Sequence, residues 1–305
     1  MSRPDADALH DYLTGLQDRI CAALAEADGQ TRFEERLYPD GETAFARPRV
    51  LEDGARIEKA AVNFTHSRGP RLPPAATERR PEIAGAPFEA ISLSMIVHPR
   101  NPYAPTTHMN VRGFIVSPDG SAPAGWLGGG FDLTPYYGFE EDCVHWHEQA
   151  RAACAPLGPG AYARFKKQCD EYFVLTHRQE PRGIGGLFFD DLQEPDWETC
   201  FALLRSVGDH FLPAYLPIFE RRADTPYGTR ERDFQCWRRG RYAEFNLVQD
   251  RGTKYGIQSG RRIESVLASL PPVVHWRYDH TPEPGSPEAE LALRFLPPRD
   301  WVAPD

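Results

Sequence analysis

"EAISLSMIVHPRNPYAPTTHMNVRGFIVS", residues 89–117, decides the fold. Two apolar runs, 89–98 and 107–117, flank a proline-rich bend, and both are rich in residues that suit a pleated strand. Side chains in a strand point alternately to opposite faces. Ser92, Ser94 and His98 therefore share one face of the first strand, and Leu93, Met95 and Val97 the other. His108, Asn110 and Arg112 share one face of the second, opposite Met109 and Val111. Antiparallel pairing across the bend brings His98 close to His108. It gives a sheet with an apolar face and a second face carrying Ser94, His98, His108, Asn110 and Arg112. A face that only meets water usually favours Lys, Glu and Thr. Imidazole, carboxamide and guanidinium groups instead bind anions, transfer protons or ligate metals.

Working outward, residues 5–28 repeat Leu9, Leu13, Leu16, Ile20 and Leu24 at helical spacing, with Gly29 as a stop. Residues 42–64 read as two strands joined at "EDG", and 66–87 as loop. "GWLGGGFDL" (125–133) is a further strand. A helix follows from Thr134 or Phe139 to Cys154, a second covers 159–178, and "GGLFFDDL" (185–192) is a short strand. Residues 196–222 are helical, with breaks expected at Pro213 and Pro217. "RYAEFNLV" (241–248) and "TKYGIQS" (253–259) flank "QDRG" and predict a hairpin. A helix over 262–270 and a strand "VVHWRYD" (273–279) complete the chain. Neighbouring strands with irregularly placed helices indicate an α+β class: a large, mainly antiparallel β-sheet flanked by α-helices on both faces. No linker divides residues 1–305, so one domain is expected.

A net charge of -9 argues against a dedicated nucleic-acid binder, while a local arginine cluster can still hold an acidic small molecule. The six cysteines form no CxxC pair and fit buried thiols in a reducing cytoplasm. No apolar window is long enough to span a membrane. GxGxxG in a strand–helix setting, GxxxxGK[ST] and GxSxG are all absent, so dinucleotide, nucleoside triphosphate and serine-elbow chemistry are not expected.

Further candidates lie outside the opening stretch. Asp132 follows three glycines, which permit a tight turn or close ligand approach; it is either a turn residue or a catalytic carboxylate. His145 and His147 stand about 200° apart around a helix and cannot face one metal together. His177 ends a helix, where packing or capping is the commoner role. Gly260, Arg261 and Arg262 at a strand-to-helix turn suit a carboxylate or phosphate.

"SMIVHPRNPYAPTTHMNVRGF", "WLGGGFDLTPYYGFEED", "HRQEPRGIGGLFFDDL", "EFNLVQDRGTKYGIQSGRRIESVLASLPP" and "GSPEAEL", in this order over about 45–296, resemble the aerobic coproporphyrinogen III oxidases. The resemblance implies a homodimer that oxidatively decarboxylates two propionates of coproporphyrinogen III to vinyl groups in haem biosynthesis, with O2 as co-substrate and no organic cofactor. By motif it implies His108 as proton donor and Asp132 as the aspartate engaging pyrrole N–H groups. Ser94, the segment Asn110, Val111 and Arg112, and the turn Gly260, Arg261 and Arg262 are implied to contact substrate, Arg112 and Arg262 pairing with propionates. His98, His108, His147 and His177 are implied ligands of a divalent metal such as manganese, although a four-histidine set without a carboxylate is unusual for that ion. Residues 242–277 are implied to form the dimer interface. One departure is visible: family members usually carry a glycine run before "RVL", where this chain reads "DGETAFARPRVLEDG". On the residues alone, a histidine–metal hydrolase of an anionic substrate and a non-catalytic tetrapyrrole carrier stay open as alternatives.

Overall fold

The computed structural model describes residues 3–40, 44–71, 85–117, 123–258 and 260–303. The opening stretch forms β5 (Phe88–Pro99) and β6 (Thr106–Val116), paired antiparallel with Ser94 opposite Asn110 and Ser92 opposite Arg112. They sit at the middle of an eight-stranded sheet. β3 (Ala44–Glu52) and β4 (Ile57–Gly69) precede them, β7 (Ala124–Thr134) and β10 (Gly185–Leu192) follow, and short β1 (Glu34–Glu35) and β2 (Tyr38–Asp40) both pair with β3. Every pairing is antiparallel. Residues 72–84, most of the expected 66–87 loop, and 41–43, in the altered segment before Arg49, lie outside the described residues.

One face of the sheet is aliphatic and carries the main core. Leu93, Met95, Val97, Met109, Val111, Phe131 and Leu187 are buried there with Leu9, Leu13, Leu16 and Ile20 of α1 (Ala6–Asp28). The same core includes Trp146 of α2 (Glu140–Ala153) and Phe211 and Tyr215 of α4 (Trp197–Arg222). α4 runs unbroken through Pro213 and Pro217, contrary to the expected breaks. Pro217 has no N–H for the Pro213 carbonyl, and His145 Nε2 supplies a replacement donor at 3.0 Å.

The second face is polar and is covered over only part of its area. α3 (Ala161–Tyr172) ends beside it, the short β8 (Val174–Leu175) and β9 (Glu180–Pro181) follow, and α5 (Thr229–Val248) crosses it. Residues 241–248 and 253–258 are not a hairpin but the end of α5 and most of α6 (Arg251–Gln258). Gln235, Arg239, Tyr242 and Asn246 are buried along α5 among the apolar Phe234, Trp237 and Phe245, so its buried positions do not form an apolar stripe. Asp250 takes the Thr253 N–H at 2.7 Å and the Thr253 hydroxyl at 3.0 Å, so "QDRG" starts a helix instead of turning a hairpin. Residues 273–279 form no strand. Val273, Trp276 and Tyr278 are exposed, and β-propensity is expressed only where a sheet offers an edge and a surface to pack on.

Candidate active site

The covering of the polar face splits it in two. Toward one end, Ala61 and Ile96 are buried under Tyr242 and Ala268. His98 belongs to this covered half. It is fully buried, with its ring 5.2 Å from Tyr242. His98 Nε2–H donates to the Ser269 carbonyl at 2.9 Å, and Nδ1 accepts from the Thr106 hydroxyl at 3.0 Å. Toward the other end, Ser92, Ser94, His108, Asn110 and Arg112 remain partly exposed on one continuous surface. His98 and His108 share a face, as expected, but only His108 opens to solvent.

His108, Asp132 and Arg182 form the centre of this open half. β6 and β7 place His108 opposite Asp132, and Nδ1–H of His108 donates to Asp132 Oδ1 at 3.0 Å. Arg182, just before β10, grips both oxygens of Asp132 through Nη2, each at 2.8 Å, and Nη1 donates to Asn246 Oδ1 at 3.1 Å. Its guanidinium is enclosed by the rings of Phe173, Tyr242 and Phe245, with centroids 4.2, 4.6 and 4.8 Å away. Burial alone would push the Asp132 carboxyl up; the Arg182 charge and the His108 contact outweigh it and hold the group below its ordinary range. The same pairing raises Arg182 against the opposite pull of burial. Asp132 is thus a buried, ionised carboxylate behind a partly exposed imidazole. It fixes the tautomer of His108 and leaves Nε2 for another partner.

Arg112 lies beside this group. Its Nη1 donates to Asn110 Oδ1 and its Nη2 to Asp190 Oδ1, both at 2.6 Å. The guanidinium rests on Gly128, where a Cβ would come within 2.9 Å of its Cζ and Nη2. Gly130 has φ 146°, and a Cβ there would stand 2.1 Å from the Leu187 carbonyl oxygen. Two of the three glycines before Asp132 therefore allow the arginine to lie flat and β10 to approach closely. Arg251 lies 3.1 Å from the second oxygen of Asp190 and covers the Tyr172 ring at 4.7 Å.

The other expected residues are placed as follows. Ser94 stands on the open face next to Asn110. The Val111 side chain is fully buried in the aliphatic core, so only its backbone belongs to the polar surface, correcting its place among side-chain contacts. Gly260 adopts φ 65° in the turn after α6. Arg261 lies over Tyr255, which meets Phe114 of β6 edge-on at 6.2 Å, so this arginine stands at the rim beyond Arg112. Arg262 instead covers Tyr38 of the edge strand, 4.0 Å from the ring centroid.

The four histidines expected to share a metal do not gather. His147 is fully buried, bonded by Nδ1 to Tyr162 and by Nε2 to the Ile184 carbonyl. His177 is exposed and pairs with Glu244. In His98 and His147 both ring nitrogens are already committed, one as donor and one as acceptor. Among the described residues no group of three or more His, Cys, Asp or Glu side chains is arranged to hold a metal ion. The set His98, His108, His147 and His177 does not fit one cation.

Arg182, Asp190, Asn246 and Arg251 were missed in the sequence. A signal existed for Asp190: alternation from Gly186, which pairs with Asp132, puts positions 186, 188 and 190 on the polar face. None pointed to Arg182, whose partners lie 50 and 64 residues away.

A family model described as coproporphyrinogen III oxidase matches residues 8–301. The chain belongs to that family. Like other coproporphyrinogen III oxidases it is an oxidoreductase of haem biosynthesis, removing two propionate carboxyls of coproporphyrinogen III to leave vinyl groups, with O2 as oxidant and no organic cofactor. Among the described residues no helix is long and apolar enough to cross a membrane.

Proposed function

We propose that coproporphyrinogen III binds against the open half of the polar face, with His108 as proton donor and Asp132 as the buried carboxylate that holds it. The observation carrying this reading is the chain Arg182–Asp132–His108, which ends on a partly exposed imidazole beside Arg112. For each propionate the balance is R–CH2–CH2–COO⁻ + O2 + H⁺ → R–CH=CH2 + CO2 + H2O2. The C–COO⁻ bond and one β C–H bond break, two electrons pass to O2, and one proton is taken up. A group able to deliver that proton is required, and an imidazole held by a carboxylate is suited to it. Asp132 accepts the Nδ1–H of His108 and holds the ring in one orientation with Nε2 toward the open face. The electron-rich reduced tetrapyrrole reacts with O2 directly, and no step is routed through a metal. Ser94, Asn110, Arg112, Gly260 and Arg261 complete the binding surface, Arg112 and Arg261 facing propionates, while Arg262 is held over Tyr38 at the sheet edge.

The test is aerobic and anaerobic incubation of wild type and His108→Gln with coproporphyrinogen, followed by porphyrin fluorescence. Aerobic conversion should fall about 100-fold or more in the variant, within the usual range for losing a general acid, with binding kept. Near-normal conversion by His108→Gln would remove it from the reaction. Oxygen-independent turnover would favour a hydrolase, and tight binding without CO2 a carrier.

We infer that the enzyme works as a homodimer joined through 242–277. Leu247, Val248, Ile257, Ile263, Val273 and Trp276 in this stretch are all exposed, and apolar side chains left in water are what a partner subunit would cover. Sedimentation of the purified protein tests this. All six cysteines are buried thiols, in keeping with a cytoplasmic location, which cell fractionation would check.

A further inference from the structure

A carboxylate already occupies the place where a substrate carboxylate is expected. Asp190 Oδ1 accepts from Arg112 at 2.6 Å, and its Oδ2 pairs with Arg251 at 3.1 Å. One carboxylate thus bridges two guanidinium groups, as a propionate would. The side chains of Arg112, Asp190 and Arg251 are 22, 21 and 40% exposed, so a ligand can reach them. The arginines are held from behind. Arg112 lies on Gly128, and Arg251 lies on Tyr172, which stacks on Phe188 at 4.5 Å. Asp190 is at the loosening end of β10, where the register slips and Asp191 takes φ 54°.

We propose that Asp190 is a resident counter-carboxylate: it fills the propionate seat between Arg112 and Arg251 in the substrate-free enzyme and yields it to coproporphyrinogen. This rests on the reading of Arg112 as a propionate-binding residue. Two guanidinium groups facing one half-buried seat repel each other, and the single charge of Asp190 between them offsets much of that repulsion. A substrate propionate therefore exchanges with a bound carboxylate instead of entering a bare cationic site, which lowers affinity and excludes small anions. Once a propionate seated there has become a vinyl group it no longer competes, and Asp190 recovers both arginines. Charge at this seat thus distinguishes substrate from product.

Coproporphyrin III, the oxidised and unreactive tetracarboxylate, serves as the fluorescent probe. It is titrated into wild type, Asp190→Asn, Asp190→Ser and Arg112→Gln. The expected result is binding about tenfold tighter in both Asp190 variants, or about 1.4 kcal/mol, with KM for coproporphyrinogen falling in parallel. Glutarate should compete with the probe in these variants at concentrations that leave wild type unaffected. Equal or weaker binding in well-folded Asp190 variants overturns the exchange and leaves Asp190 as a brace for Arg112. Failure of both to fold assigns it to structure alone. Arg112→Gln separates the two layers. If it binds coproporphyrin like wild type, the propionate reading of Arg112 falls. If it binds weakly while neither Asp190 variant tightens, only the exchange falls.

Discussion

Replacing Arg182 by methionine tests the centre of the site most directly. The side chain is buried with two bonds to Asp132, one to Asn246 and three aromatic faces around it. Methionine keeps most of the volume and removes the charge, so Asp132 is left as a buried carboxylate hydrogen-bonded to His108. Breaking a buried pair on one side costs about 3–5 kcal/mol, most of it the penalty of the abandoned charge. At about 2.1 cal/mol/K per residue, 305 residues give an unfolding entropy near 0.64 kcal/mol/K, so a loss of about 4 kcal/mol lowers Tm by about 6 °C. Without Arg182, burial dominates at Asp132 and drives the carboxyl toward protonation. His108 then loses the charged acceptor that orients its ring, and turnover should fall about 100-fold or more. The decisive arm is the double variant Arg182→Met with Asp132→Asn. Neutralising the abandoned carboxylate should recover about 1–3 kcal/mol of the stability while turnover stays low. Calorimetry measures the first effect and porphyrin fluorescence the second. Additive losses in Tm, or an Arg182→Met enzyme that melts like wild type, would refute a coupled buried pair. Recovery of activity with stability would show that the carboxylate charge plays no part in turnover.

Acid should destabilise the fold through histidines outside the reaction. Burial holds His98 well below the ordinary histidine value and His147 at about 3, so the unfolded chain binds one more proton at each as pH drops below about 6.5. Stability supplied by their neutral forms is present above that pH and is lost on acidification, at about 1.4 kcal/mol per pH unit for each histidine, or about 4 kcal/mol between pH 7 and 5. Urea midpoints should fall accordingly, with His147→Gln removing about half of the slope; a midpoint constant from pH 7 to 5 would contradict it. For the dimer, Ile257→Asp with Trp276→Asp should halve the sedimenting mass without changing helix content. An unaltered mass would place the interface elsewhere.

The sheet was legible because its two faces differ in chemistry. Leu93, Met95 and Val97 against Ser92, Ser94 and His98 fix which side is core, and a slip of one residue would invert every position. The same contrast failed on α5. Buried Gln235, Arg239 and Asn246, interleaved with buried Phe234, Trp237 and Phe245, hide the helical period from any reading that equates inward with apolar. Val111 shows a different limit: the segment from Asn110 to Arg112 is one motif in sequence, but the pleat sends its middle side chain to the core. The histidines show a third. His98 and His108 are equivalent in alternation, and which of them faces solvent depends on where α5 and residues 263–270 settle, information that lies more than a hundred residues downstream.

That division of one polar face has a chemical consequence. Under cover, His98 is saturated: it is held at both nitrogens, and Thr106 continues its chain to the Tyr136 hydroxyl at 2.6 Å. Such a chain is rigid, and the positive field of Arg239 adds to burial in keeping His98 neutral. In the open half the donors and acceptors are joined into charged pairs that keep unused valences, at His108 Nε2 and on the Arg112 guanidinium. Proton delivery and carboxylate capture both need that incomplete satisfaction, and both need the groups held still while incomplete. The sheet supplies the stiffness through register, Arg182 supplies the charge that keeps Asp132 ionised against burial, and Gly128 supplies the flat bed for Arg112. An added side chain at position 128 would tilt that guanidinium off its bed without touching His108. The binding surface and the proton donor are therefore separable parts of one strand, with Asn110 between them fixing their spacing.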